Sequence, residues 1–199
     1  MTEPRRYGDA GQAFPIYITV VGALLFLAFA YLAVGQAAAN RNSAQTAADA
    51  AALAAAQDTR DQLADAWVKE VGEPANWQDI FDGIATGLAP SCWRADQLAD
   101  QNDAHVEACA QTGPLEFEVA VQMDKPVGDS IVPGTEGKFA KASAIAVIEA
   151  RCGFEPLGED AGDEELPTLT CDGEDWDLDP EDLDGLPAPE DLFDVHLAD

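Results

Sequence analysis

The chain has 199 residues, with 38 acidic and 10 basic side chains for a formal charge of -28, and 37 alanines within a 47% hydrophobic total. Length allows one ordinary domain, but alanine and a single apolar segment inflate the hydrophobic fraction, so the soluble core must be small. A chain this acidic repels phosphate backbones, which excludes nucleic acid as a partner and makes anionic membrane surfaces poor partners for its soluble part.

Residues 1–12 lead into an apolar run. Residues 13–35 read AFPIYITVVGALLFLAFAYLAVG, 23 residues without a charge, or about 34 Å of helix, enough to cross a bilayer core. A transmembrane helix is the expectation. Pro15 falls in its first turn, where a missing N–H costs nothing. Tyr17 and Tyr31 stand near its ends, where amphipathic rings prefer the interface, and Gly35 closes it. Arg5 and Arg6 precede the run and the next basic residue is Arg41, so the positive-inside rule puts residues 1–12 in the cytoplasm. The competing reading is a cleaved secretory signal with Ala33 and Gly35 at the cleavage site, but this run is longer than the usual apolar core of such signals. Both readings export everything after Gly35.

Residues 36–72 form an alanine-rich stem with no internal Pro or Gly before Gly72, a strong helix by propensity, ended by Gly72, Glu73 and Pro74. Continuous with the span, it would make a rod from Pro15 to Val71. Ala44, Ala47, Ala48, Ala51 and Ala55, with Leu53, give the stem a small-residue surface that lets another helix approach closely. The stem could equally dock on its own β domain through Leu53, Leu63 and Trp67.

Here the residues carry a resemblance. Gly-Asp-Ala-Gly-Gln (residues 8–12) before the span, GQAFPIYI leading into it, and Ala-Gln-Thr-Ala-Ala-Asp-Ala-Ala-Ala-Leu-Ala-Ala-Ala at residues 44–56 resemble the TadE/TadG-like proteins of Flp (tight adherence) pilus assembly, in the form found in actinobacteria. The resemblance covers residues 8–60. It implies a single-pass, pilin-like envelope protein that acts in pilus assembly or anchoring through its helix, with other envelope or pilus-assembly proteins as partners and no catalytic activity. Processed pilins of this kind carry a Gly before the cut and a Glu at the fifth mature position. Here Gly11 is followed by Gln12 and the fifth position is Ile16, so an uncleaved, membrane-anchored accessory protein of the TadG-like branch is expected.

Residues 73–152 are expected to be an exported α+β domain. Helical stretches are predicted at residues 77–88, where Trp77, Ile80, Phe81 and Ile84 read as core, and at residues 94–109. Residues 115–123 alternate apolar and polar side chains as a half-buried strand, and residues 139–152 form a second extended run. The Pro- and Gly-rich segment between them reads as a surface loop. Two strands cannot stand alone, so they must pack on helix or recruit another strand. Cys92, Cys109, Cys152 and Cys171 are even in number and lack metal-ligand spacing, which predicts two disulfides in an exported domain. The short loops favour Cys92 with Cys109 and Cys152 with Cys171, although spacing alone leaves three connectivities open.

Residues 153–199 carry 18 acidic side chains and no Lys or Arg. With little periodic apolar content, they are expected to be a mostly disordered acidic tail, within which Leu178, Leu183, Leu186, Leu192 and Phe193 could fold onto a basic partner. Asp175, Asp177 and Asp179 match the start of an EF-hand loop, but Pro180 and Leu186 break it at the required Gly and Glu, so no metal is assigned. His105 reads as a solvated helix residue. No nucleophile elbow, P-loop or dinucleotide fingerprint occurs, and no catalytic residue or cofactor is assigned. A second reading, from a different class, is a membrane-tethered extracytoplasmic binding module for a basic or cationic partner.

Overall fold

A computed structural model of the chain describes residues 13–126, 137–157, 166–179 and 185–198. One helix, α1 (Ala13–Lys69), runs through the apolar segment and the stem without a break, 57 residues or about 85 Å. Its alanines, leucines and glutamines are strong enough helix formers to carry Gly22 and Gly35, each of which costs about 1 kcal/mol relative to alanine. A 3-10 turn at Pro74–Asn76 then leads into α2 (Trp77–Phe81). Helix was predicted as far as Leu88. It stops early because Gly83 adopts φ +79, in a place where a Cβ would lie 2.8 Å from Leu115 Cδ2.

The stretch predicted as helix at residues 94–109 divides into α3 (Cys92–Gln101) and β1 (Ala104–Gly113). Asp103, at φ 55, turns the chain out of the helix. From Ala104 onward the backbone pairs with β2 (Glu116–Pro126), with His105 opposite Gln122 and Cys109 opposite Val119. Cross-strand pairing overrides the local preference. A two-residue turn, Pro114 and Leu115, joins the strands. β3 (Phe139–Ala150) follows antiparallel to β2, with Val119 opposite Ala144. Of the loop predicted between them, residues 127–136 lie outside the described residues.

The largest correction concerns the tail. Over its described residues it is folded: β4 (Cys152–Phe154), β5 (Leu169–Cys171) and β6 (Glu174–Trp176) form a small antiparallel sheet, and α4 (Pro189–Leu192) leads into β7 (Phe193–Leu197). β7 pairs antiparallel with β3, completing a main sheet of order β1-β2-β3-β7. The few apolar residues of this acidic stretch are spaced to reach the core: Leu169, Leu192 and Phe193 are all wholly buried. Most carboxylates of its described residues lie at the surface, where they cost little. Residues 158–165 and 180–184, including part of the would-be calcium loop, lie outside the described residues.

Helices α1 and α3 cover one face of the main sheet, burying Val119, Val121, Ala146 and Ile148 beneath them. At the far end of α1 an aromatic cluster links the parts. Trp67 lies 5.5 Å from Trp77, Trp77 5.1 Å from Phe154, and Phe81 5.7 Å from Phe193 between ring centroids. The two disulfides join Cys92 to Cys109 and Cys152 to Cys171. The first pins the start of α3 to the middle of β1, and the second closes β4 onto β5.

Candidate functional site

The feature that organises this molecule is α1, and its burial changes sharply along its length. In its first part every large apolar side chain is exposed: Phe14, Tyr17, Leu24, Phe26, Phe29, Tyr31 and Val34 are more than half accessible. The mean hydropathy of its most apolar stretch is 2.3, and none of that stretch is buried. A core helix of a soluble protein would be mostly covered, and this stretch is not. Pro15, Tyr17, Tyr31 and Gly35 all lie exposed on this segment. Thr19 satisfies its hydroxyl by donating to the Pro15 carbonyl at 2.7 Å, the local bond that lets a polar side chain sit in an apolar helix.

Residues 36–43 are largely exposed as well, a helical spacer of about 12 Å. The domain begins at Ala44. From there Ala44, Ala47, Ala48, Ala51, Ala52, Ala55 and Ala56 are wholly buried and Leu53 is half-buried. More than one face of the helix is covered, because α1 packs on β2 and β3 and also on α3. β3 and α3 present small side chains in turn, while β2 contributes the larger Phe117, Val119 and Val121. The inward-facing residues of β3 include Ala144 and Ala146, and α3 contributes the buried Ala95 and Ala99. Small side chains on facing elements let backbones approach closely, so the helix is seated by contact along its length as well as by the large side chains of the core.

The stem is held within the chain itself. It docks on its own domain, and the helix that approaches its alanine surface is α3 of the same chain. Leu63 and Trp67 are wholly buried farther along. Sequence reasoning missed the receiving surface. Its signal was the small-residue alternation Ala142, Ala144, Ala146 in β3 and the i, i+4 pair Ala95 and Ala99 in α3.

A polar clamp fixes the loop before α3 to α1. The buried hydroxyls of Thr59 and Ser91 are 2.7 Å apart. Gln62 donates to Ser91 Oγ at 3.2 Å and accepts from the Ala89 N–H at 2.6 Å. On the other side, Arg151 ties β3 to the C-terminal segment: its N–H donates to the Leu192 carbonyl at 2.9 Å and its guanidinium to the Glu190 carbonyl and Asp172 carboxylate. The hydrogen bond to Asp172, and then the charge of that group, hold the Arg151 pKa above its ordinary value.

His105 lies in β1, where its ring Nδ1 is 2.7 Å from Asp124 Oδ1 across the strand pair, and His196 lies in β7 beside Asp194. They belong to separate surface pairs on β1 and β7. Among the described residues no group of three His, Cys, Asp or Glu is placed to hold a metal ion.

Residues 11–58 match the family model described as Flp pilus-assembly TadE/G-like. No curated protein and no solved structure matches the chain. The matched segment takes in the exposed apolar helix, the spacer and the first half of the docked alanine stem, and it stops before the sheet and both disulfides. Over residues 11–58, the part of α1 that carries the apolar segment and the seat of the domain, this chain is similar to the TadE/G-like family of Flp pilus assembly.

Proposed function

We propose that the protein is a single-pass envelope protein, a structural or accessory component of Flp-type pilus assembly or anchoring. Residues 13–35 cross the membrane with residues 1–12 in the cytoplasm, and the disulfide-bonded domain is held outside it. The observation that carries this reading is the continuity of α1. One unbroken helix has an uncovered apolar first part and a second part packed against the domain, so a force or displacement in the membrane segment is passed to the domain without a hinge. The family match supports the process, since it falls on that helix.

The reading also distributes the partner contacts. The alanine surface of residues 44–56 is taken by the chain's own α3 and sheet, so contacts with other envelope or pilus-assembly proteins fall to the span and to the exposed spacer at residues 36–43. The protein works by holding and positioning, without a catalytic step. Deleting the gene and complementing it with the full chain, or with a variant carrying a Gly-Gly-Ser-Gly insertion after Ala38, tests this. The full chain restores surface pili, and the variant with the flexible break does not. Normal piliation in the deletion strain would reject the pilus role.

A further inference from the structure

We infer that the exposed edge of β3 at residues 139–144 is a docking site for an extended, lysine- or arginine-bearing segment of a partner polypeptide, which adds to the main sheet end to end with β7. β7 pairs only with residues 146–150 of β3, and its last bond runs from the Ala198 N–H to the Ile145 carbonyl at 2.9 Å. Past that point no strand pairs with β3 on this side among the described residues. In an antiparallel ladder alternate residues bond to the same neighbour. Ile145 and Arg151 bond toward the C-terminal segment, so Lys141 and Ser143 turn their N–H and C=O groups to the open edge. An unpaired run of this kind is a template for a further strand.

The edge opens onto a cleft of about 420 Å³ lined by Gln45, Asp49, Glu118, Ser143, Ile145 and Leu197. Gln45 reaches the Ser143 carbonyl at 3.4 Å, a long bond that an incoming amide can replace. Two carboxylates and no cation line this cleft, and the chain carries -28 overall. A second copy of this chain would therefore be repelled, whereas a basic segment is complementary. The side-chain alternation sets the pattern as well. Phe139 and Ile145, 40% and 37% accessible, lie on the open face of the sheet and would flank apolar residues of the added strand. Its alternate residues would turn toward Asp49 on α1.

The test uses the full chain in detergent and a fluorescent ten-residue peptide of alternating valine and lysine. Binding is followed by anisotropy at low and physiological salt, with amide hydrogen exchange as a second readout. The expected result is saturable binding that weakens with salt and protects the Lys141 and Ser143 amides. The same peptide N-methylated at alternate residues, or with glutamate for lysine, binds on the order of tenfold more weakly or worse. Ser143→Pro, a substitution that sheet edges tolerate, reduces binding to the same extent. Equal binding of the N-methylated peptide would show plain charge attraction and overturn the proposal. Absence of binding, or protection of these amides by self-association without peptide, overturns it too. None of these outcomes bears on the membrane span or the pilus role.

Discussion

Replacing Ala51 by leucine tests the seating of the helix. Ala51 is wholly buried in the part of α1 that packs on the sheet and on α3, where many of the buried residues are alanines. The substitution adds three carbon atoms. Were there room, burying them would stabilise the fold by about 0.8 kcal/mol each, or roughly 2.4 kcal/mol in all. There is no room if alanine rests on alanine: the larger side chain must lift α1 from the sheet or from α3, and every neighbouring small-residue contact is loosened with it. Such overpacking costs about 1–3 kcal/mol, which corresponds to a fall in Tm of about 2–4 °C per kcal/mol for a domain of this size. The assay is urea and thermal unfolding of the full chain in detergent, followed by fluorescence of the buried Trp67 and Trp77. Gln57→Leu, at an exposed position of the same helix, is the control and is expected to change stability by less than about 0.5 kcal/mol. An Ala51→Leu protein as stable as the parent, or more stable, would refute the close-packed seat.

Other expectations follow from the same structure. Phe193→Ala removes a wholly buried ring from the C-terminal segment and is expected to destabilise the domain by about 3–5 kcal/mol; a change near zero in denaturant unfolding would return this segment to the status of a loose tail. Cys152→Ser with Cys171→Ser opens a 19-residue separation, for a loss of about 3 kcal/mol in the same assay, and equal stability of reduced and oxidised protein would argue against the bridge. Leu25→Arg places a charge in the middle of the apolar run and should cost about 2.5–3.5 kcal/mol of insertion free energy, read as a fall in the inserted fraction in a glycosylation-tag assay; undiminished insertion would count against residues 13–35 as the span. Because the Asp103 hydrogen bond and charge raise the Lys125 pKa, that pair's contribution is fully present at neutral pH and is lost only as pH rises through and above the ordinary lysine range of about 10.4. Lys125→Met should therefore leave a stability profile that differs from the parent's below that range and converges with it above.

The helix was legible because its cause is local. Uncharged residues at 13–35 and strong helix formers to Lys69 need no distant partner to be helical, and the family motif lies on the same stretch. The seat of the helix was half legible: the alanine surface was visible, but what it packs on depends on Ala95 and Ala99 and on the alternation in β3, which acquire meaning only when strand and helix meet. β1 was hidden for a related reason. His105 to Gln111 have no strong strand preference of their own and are held extended by β2.

The acidic tail misled through its composition. Most carboxylates of its described residues are exposed although the segment is folded there, so the charge carries little information about order. The decisive residues are few, and Leu169 stands too far in sequence from the adjacent Leu192 and Phe193 to form a periodic pattern. They are brought to the core by Cys171 bonded to Cys152 and by β7 pairing with β3. The net charge of -28 is thus distributed over a folded surface as well as over the residues that connect its parts.

The account rests on α1 serving at once as membrane anchor and as the spine of the domain. The intact mass of the protein extracted from the membrane fraction of its native host tests this most directly. The account predicts a chain that retains residues 13–35, near 21.0 kDa, in the membrane pellet after alkaline wash. A mature protein that begins near Gln36 and stays in the soluble fraction would contradict it.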